Sequence, residues 1–314
     1  MSGGLTNYGT IQNYSVEPYC AISAFRAAPT WLDTDDLIPG GTQSKQDNEL
    51  FNVLLRATSW ADLYTGGGTE YPYLGASTQT QNKRVRANRW GELSIHPANV
   101  PVQYVSSLYT GSSPLNLTQY ANISQIWIED NRQIIVPNAG GGNFAGLQFG
   151  SPVSVNGPTY VQLTYTAGYF NSTLAAGTYN VGTMSVTVNN PLGLIPGTVF
   201  RINDPGQEEV CTVASNYTQG SSVIPLVNAL VYSHTSGAVT APGSLVGASA
   251  LPMAIEQAVI CYAVGLLLRE DVSSEAPFAG TPMGPTAKMS GGGGTAAGLI
   301  YEAEEYLLSF RRVR

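Results

Sequence analysis

Two histidines, His96 and His234, are the only imidazoles in the chain. His96 precedes Pro97, and His234 lies in a Ser-His-Thr-Ser-Gly stretch that reads as a turn. Neither has a second histidine at metal-ligand spacing. No G-x-S-x-G, H-E-x-x-H or strand-borne G-x-G-x-x-G is present. Glu208 and Glu209 adjoin on an expected strand, so they point to opposite faces and cannot act as a paired acid and base. Asp33, Asp35 and Asp36 lack the Gly and Glu of a calcium loop and read as a helix cap or turn. Gly291–Gly294 are followed by no Lys-Ser/Thr, so they are not a phosphate loop. Cys20, Cys211 and Cys261 are odd in number, widely spaced and outside any C-x-x-C pattern, which predicts buried free thiols. This inventory predicts no enzyme, no metal and no cofactor.

What remains is charge in two places. Lys83, Arg84, Arg86 and Arg89 crowd one short stretch. They read either as a charged strand edge that resists aggregation or as a contact for an acidic partner or DNA phosphates. Arg311, Arg312 and Arg314 end the chain and read either as a charged helix end or as a docking site. Charged residues make up only 11% of the chain, well below the ~25% of a typical soluble protein. Such a neutral polar surface fits a β-rich protein or one that covers itself by assembly. The net charge of −7 argues against a free nucleic-acid binder held by phosphate contacts. It is compatible with a passage that DNA slides through. The N-terminus has no basic region followed by an apolar core, so no secretory signal is expected.

The elements that must position these groups follow from periodicity. At 314 residues the chain predicts about two domains, or one carrying a large insertion. Its longest strongly apolar stretch is Leu251–Asp271, with Pro252 where a helix can start. It is apolar nearly all round, as a buried central helix is, and too short in its apolar part for the roughly 18 residues of a membrane span. Pro18–Arg26 predicts a short helix that stops before Pro29. Asp47–Tyr64 is amphipathic, with Leu50, Leu54, Ala57, Ala61 and Tyr64 on one stripe and Asp47 as N-cap. The two longer helices are expected to pack on each other and on the strands around 84–110. Alternation predicts those strands, a hairpin about Glu129–Arg132 and a strand at Tyr160–Tyr165.

From Gly177 to Gly243 the texture changes. Short β-rich runs recur at Met184–Val188, Thr198–Ile202, Glu209–Val213, Ser222–Leu226 and Ala238–Thr240. This spacing predicts a small barrel or sandwich at 171–249, inserted between strand and central helix. The fold class is therefore α+β. Its core is helical with antiparallel strands, formed by 1–170 and 250–314, and the inserted β domain is 171–249. A Pro- and Gly-rich linker at 272–294 leads to a last helix at 295–314. Leu299, Ala303, Tyr306, Leu307 and Phe310 form that helix's apolar side.

The order of pieces resembles the head–tail connector (adaptor) proteins of long-tailed bacteriophages. The resemblance rests on the helix ending Ala-Asp-Leu-Tyr-Thr-Gly66, on Gly-Glu-Leu-Ser-Ile-His-Pro97 and on Pro101-Val-Gln-Tyr-Val-Ser-Ser107. It continues in Tyr160-Val-Gln-Leu-Thr-Tyr-Thr-Ala-Gly-Tyr169 and in the helix opening Leu251-Pro-Met-Ala-Ile-Glu-Gln-Ala258. It covers roughly 15–170 and 250–314; shorter relatives pass almost directly from the A-G-Y turn to the helix. The resemblance implies a structural virion protein with no covalent chemistry, assembled in the host cytoplasm. It implies a homo-oligomeric ring, usually of twelve subunits, seated beneath the portal protein. The next neck or tail protein (stopper or terminator) binds the other side, and DNA passes through the centre without sequence-specific binding; no membrane is involved. Leu299, Tyr306, Leu307, Phe310, Arg311, Arg312 and Arg314 are then candidates for docking on the portal. Lys83, Arg84, Arg86 and Arg89 become candidates for facing a partner or DNA. The alternative is a tail or capsid accessory protein whose β module binds a glycan.

Overall fold

The computed structural model describes residues 17–30, 32–35, 37–66, 74–88, 92–137, 158–268 and 296–311. The linker expected at 272–294 lies outside them. The fold is α+β with antiparallel sheets, and none of the sheets among the described residues closes into a barrel. Two compact units emerge.

One unit takes the described part of 70–170 together with 192–195. Its larger sheet has the order β1-β7-β3-β4, with β1 at Ser77–Arg86, β3 at Val102–Ser113, β4 at Asn116–Gln119 and β7 at Pro158–Ala167. A smaller sheet has the order β2-β6-β5, from Leu93–Ile95, Gln133–Val136 and Trp127–Glu129. Strand alternation builds the core: Val161, Leu163 and Tyr165 of β7 meet Val102 and Leu108 of β3, and Leu93, Ile95, Ile134 and Val136 of the small sheet. The expected hairpin is present. Asp130 and Asn131 both take left-handed φ (49° and 54°) in the loop Asp130–Arg132 between β5 and β6, where the Arg132 N–H donates to the Glu129 carbonyl at 2.9 Å and closes the primed turn. Gly168 after β7 has φ +102°, and the Gly75 backbone occupies the space a Cβ would need. Only glycine fits that A-G-Y turn.

The other unit holds the helices and all the remaining strands. Helix α1 spans Ile22–Ala27 and α2 spans Gln43–Gly66. The N-terminal boundary of α2 corrects the sequence reading: Asp47 is not the N-cap but sits in the second turn. There its carboxylate accepts from Arg26 at 2.8 Å and from Gln43 at 3.0 Å. Leu50, Val53, Leu54, Ala57 and Ala61 are buried. Helix α3, Met253–Leu267, has Pro252 as its N-cap and buries Ile255, Ala258, Val259 and Ile260. The Trp60 ring of α2 stacks on Tyr262 of α3, centroids 3.9 Å apart and 7° from parallel.

Strands β8–β15 run from Asn171 to Ser249. Four of them form a sheet of order β12-β11-β15-β8, at Glu209–Thr212, Val199–Asn203, Gly247–Ser249 and Asn171–Thr173. The pairs β10–β13 (Ser185–Thr187, Val223–Pro225) and β9–β14 (Gly177–Tyr179, His234–Ser236) complete the set. The expectation of a barrel gives way to open sheets. The run expected at Ala238–Thr240 is not a strand; the pairing strand is four residues earlier, at His234–Ser236.

Candidate functional site

Helix α4, Ala296–Leu307, with a 3-10 turn at Leu308–Phe310, packs along α3. Ala303 and Leu307 are fully buried there. Leu299, Tyr306 and Phe310 are half-buried, and Tyr301 and Leu308 are exposed. The stripe the sequence presents as one apolar side is thus divided between a packed face and an open one. The Arg311 guanidinium lies 5.3 Å over the Tyr64 ring at the end of α2, a cation–π contact. Arg312 and Arg314 lie outside the described residues.

The basic stretch is also divided. On β1, Arg84 and Arg86 are exposed on one face, and Arg84 lies 5.7 Å over the ring of Tyr160, its cross-strand partner. Lys83 alternates to the opposite face, where its ammonium donates to the His96 carbonyl. Arg89 lies outside the described residues. Asn82, Arg84, Leu117, Tyr160 and Gln162 line an open hollow of about 390 Å³ on this sheet.

A buried charge cluster lies where sequence reasoning saw only a turn. His234 is fully buried, with Nδ1 2.9 Å from an Asp204 oxygen and Nε2 2.7 Å from a Glu209 oxygen. Glu209 also accepts from the Val231 and Tyr232 N–H groups, at 2.9 and 3.2 Å. Burial would push the Glu209 carboxyl up, but these donors and the His234 ring together hold it below the usual carboxylate range. Both ring nitrogens are engaged, so no lone pair or proton points at open space. The arrangement braces β12 and β14. Glu208 instead caps the Gly206 N–H at 3.1 Å.

A second buried carboxylate has a different environment. Glu17 accepts from the Thr173 hydroxyl at 3.3 Å through one oxygen; its other oxygen is buried without a partner. It borders a cavity of about 60 Å³ shared with Ile22, Phe51, Asn171, Asn203 and Leu245. That is room for a few waters at about 10–15 Å³ each. Burial pushes its pKa up to about 7, against the smaller opposing hydrogen bonds from Thr173 and Ser172. Glu256 of α3 pairs with Arg201 of β11, and there too burial outweighs the guanidinium and leaves the carboxyl raised.

The three cysteines are free and buried, and burial raises all three thiols, Cys211 to about 12. Among the described residues no three His, Cys, Asp or Glu side chains converge to hold a metal ion, and no helix is long and apolar enough to cross a membrane. Of the aromatics at 171–249, Phe200 and Tyr217 are buried, and the Tyr179 hydroxyl donates to the Ala175 and Thr187 carbonyls. Tyr232 alone is exposed, which is not a stacking platform for sugars. No protein-family model matches the chain, and no curated protein matches it. One solved structure, described as the neck of an empty GTA particle computed with C6 symmetry, aligns over 93% of both chains at 15% identity. Its TM-score of 0.31 is too low to carry an argument.

Proposed function

We propose that this chain is a structural virion protein, a head–tail connector. It forms a ring of twelve subunits between the portal and the next neck or tail protein, with a central channel for DNA. One observation carries the reading: the residues behind the resemblance hold turn and end positions. Gly168 makes a turn no other residue fits. Thr65 ends α2 with its hydroxyl bonded back to the Ala61 carbonyl at 2.7 Å. Pro252 caps α3, with Ile255 and Ala258 buried behind it. In this reading 1–170 and 250–314 descend from an adaptor core and 171–249 is an addition on the outside of the assembly.

Portal docking falls to the C-terminal end: Leu299, Tyr306, Phe310 and Arg311, continued by Arg312 and Arg314. Leu307 supports the helix from beneath, because its burial leaves it no surface to offer. Arg84 and Arg86 form the cationic face of β1, open to an acidic partner or to DNA; Lys83, tied to the His96 carbonyl, supports that strand.

Negative-stain images of the purified chain, alone and with the portal, test the proposal. Rings are expected, at least in the mixture; single particles in both samples would overturn it. Reversing Arg311, Arg312 and Arg314 to Glu should abolish portal binding and leave melting nearly unchanged, since Arg311 is exposed beyond the packed turns of α4. Deletion of 295–314 is a poorer test, because it also removes the buried Ala303 and Leu307.

A further inference from the structure

The polar side chains of β1 fare differently on its two faces. On one face each is tied down: Gln79 donates to the Ser77 hydroxyl at 2.8 Å, Gln81 accepts from the Ala98 N–H at 3.1 Å, and Lys83 donates to the His96 carbonyl. On the other face the hydroxyls of Thr80 and Thr164 bond each other at 3.2 Å. The next two outward-facing cross-strand pairs, Asn82 with Gln162 and Arg84 with Tyr160, are not closed in this way. Among the described residues neither amide, nor the guanidinium, nor the phenol hydroxyl has a hydrogen-bond or ion-pair partner. Opposed residues in antiparallel strands share a face, so all four groups converge. With Pro114 and Leu117 of the β3–β4 hairpin they line the hollow of about 390 Å³. Strands β1, β3, β4 and β7 contain no Asp or Glu to compete for the guanidinium.

We propose that this hollow binds an acidic sugar, a pyranose ring that carries a carboxylate. Its volume lies in the range of about 300–1,000 Å³ that holds small ligands. Arg84 supplies the forked N–H donors that fit a carboxylate. Tyr160 steadies it, since the guanidinium lies 5.7 Å over the ring and keeps its N–H edge open. The Asn82 and Gln162 amides each donate and accept, as sugar hydroxyls do. Pro114 and Leu117 offer apolar surface to the C–H face of the sugar ring. The same geometry disfavours other anions. Arg84 already covers the one aromatic ring that lines the hollow, so a nucleic-acid base finds no platform to stack on, and a chain of net charge −7 repels a polyanion. An acidic side chain would occupy the guanidinium but bring no hydroxyls to the two amides. The site stands apart from the connector reading: rings can form without it, and it can hold a sugar in a chain that forms none.

The test is titration of the full-length chain with methyl glucuronide, followed by saturation-transfer NMR. The glucuronide should bind. Methyl glucoside, which lacks the carboxylate, and acetate, which lacks the hydroxyls, should each bind about tenfold more weakly. Arg84→Gln should lower glucuronide affinity about tenfold and leave circular dichroism unchanged, because the guanidinium is exposed. Asn82→Ala, also at an exposed position, separates a sugar site from a bare anion site. It should weaken the glucuronide and leave acetate as it was. Absence of glucuronide binding, acetate binding as tight as the glucuronide's, or an Arg84→Gln protein that binds normally would overturn the proposal. So would an oligothymidylate or an acidic peptide that displaces the glucuronide at lower concentration, since the face would then belong to that partner.

Discussion

Glu17 and Glu209 are two largely buried carboxylates in one compact unit, with opposite outcomes. Glu209 accepts from two backbone N–H groups and an imidazole, and its pKa falls. Glu17 accepts from the Thr173 hydroxyl at 3.3 Å with a weaker pull from Ser172, leaves its second oxygen without a partner, and its pKa rises to about 7. Burial pushes both the same way; the number and charge of the donors decides which carboxylate keeps its ionised form. Burial of an acid is therefore no guide to its charge until its donors are counted.

The largest expected effect comes from emptying the favourable pocket. His234→Ala leaves Asp204 and Glu209 facing each other's field without the ring between them. Loss of one partner from a buried ionic cluster costs about 3–5 kcal/mol, read as a lower urea midpoint at neutral pH. A loss below about 1 kcal/mol would mean that the backbone donors alone hold Glu209, and the comparison would reduce to main-chain geometry.

The next effect, on the order of 3 kcal/mol, is a pH dependence with a definite sign. Glu17 binds its proton more tightly folded than unfolded. Stability should therefore fall as pH rises from about 4.5 to about 7, where the folded carboxyl ionises. Glu17→Gln should flatten this slope and be the more stable form above pH 7. Glu209 has the opposite sign: its contribution is full above the unfolded carboxylate range and is lost as pH falls through its depressed folded value. Glu209→Gln should accordingly lose most at neutral pH and converge on wild type in acid. Urea melts of the three proteins across pH separate the two carboxylates, and parallel curves would erase the distinction between them.

Thr173→Val removes the hydroxyl that donates to Glu17 and accepts from Asn189 at 2.8 Å. A cost of about 1–3 kcal/mol is expected, with the Glu17 titration moved further up. Smallest of all should be Arg84→Glu with Arg86→Glu, on an exposed strand face of the other compact unit. Melting should shift by less than about 0.5 kcal/mol, while binding to an acidic partner or DNA should weaken.

The parts of the fold legible in the sequence are those with strong period or turn chemistry. Helix α3, the stripe of α2, strand β7 and the Asp130-Asn131 hairpin all announce themselves locally. The start of α2 does not, because Gln46 is a polar residue in a buried position. Its amide accepts from the Ile38 N–H and donates to the Ile38 carbonyl, closing the preceding loop onto the helix. Strand β1 begins with Ser-Thr-Gln-Thr-Gln, which has no apolar alternation; pairing along the whole of β7 makes it a strand. Strands β8 and β15, Asn-Ser-Thr and Gly-Ala-Ser, are likewise made by their neighbours. The His234 cluster was invisible for a related reason. Asp204 and Glu209 stand 30 and 25 residues from His234 in sequence, and only the fold joins them. The C-terminal stripe was legible as apolar, but not which half of it the chain keeps for itself.

The stacked Trp60 and Tyr262 rings also make the chain an optical instrument. Two aromatic rings stacked 3.9 Å apart in nearly parallel planes and held in a fixed asymmetric surrounding should contribute to the near-ultraviolet circular dichroism, so the contact between α2 and α3 is expected to have a signal of its own. That signal vanishes once the rings separate by a few ångströms, well before either helix unwinds and the far-ultraviolet signal is lost. A loosening of the helix pair, on dilution, on titration or on meeting a partner, can thus be watched in the unlabelled protein as a change of colour rather than of mass or heat.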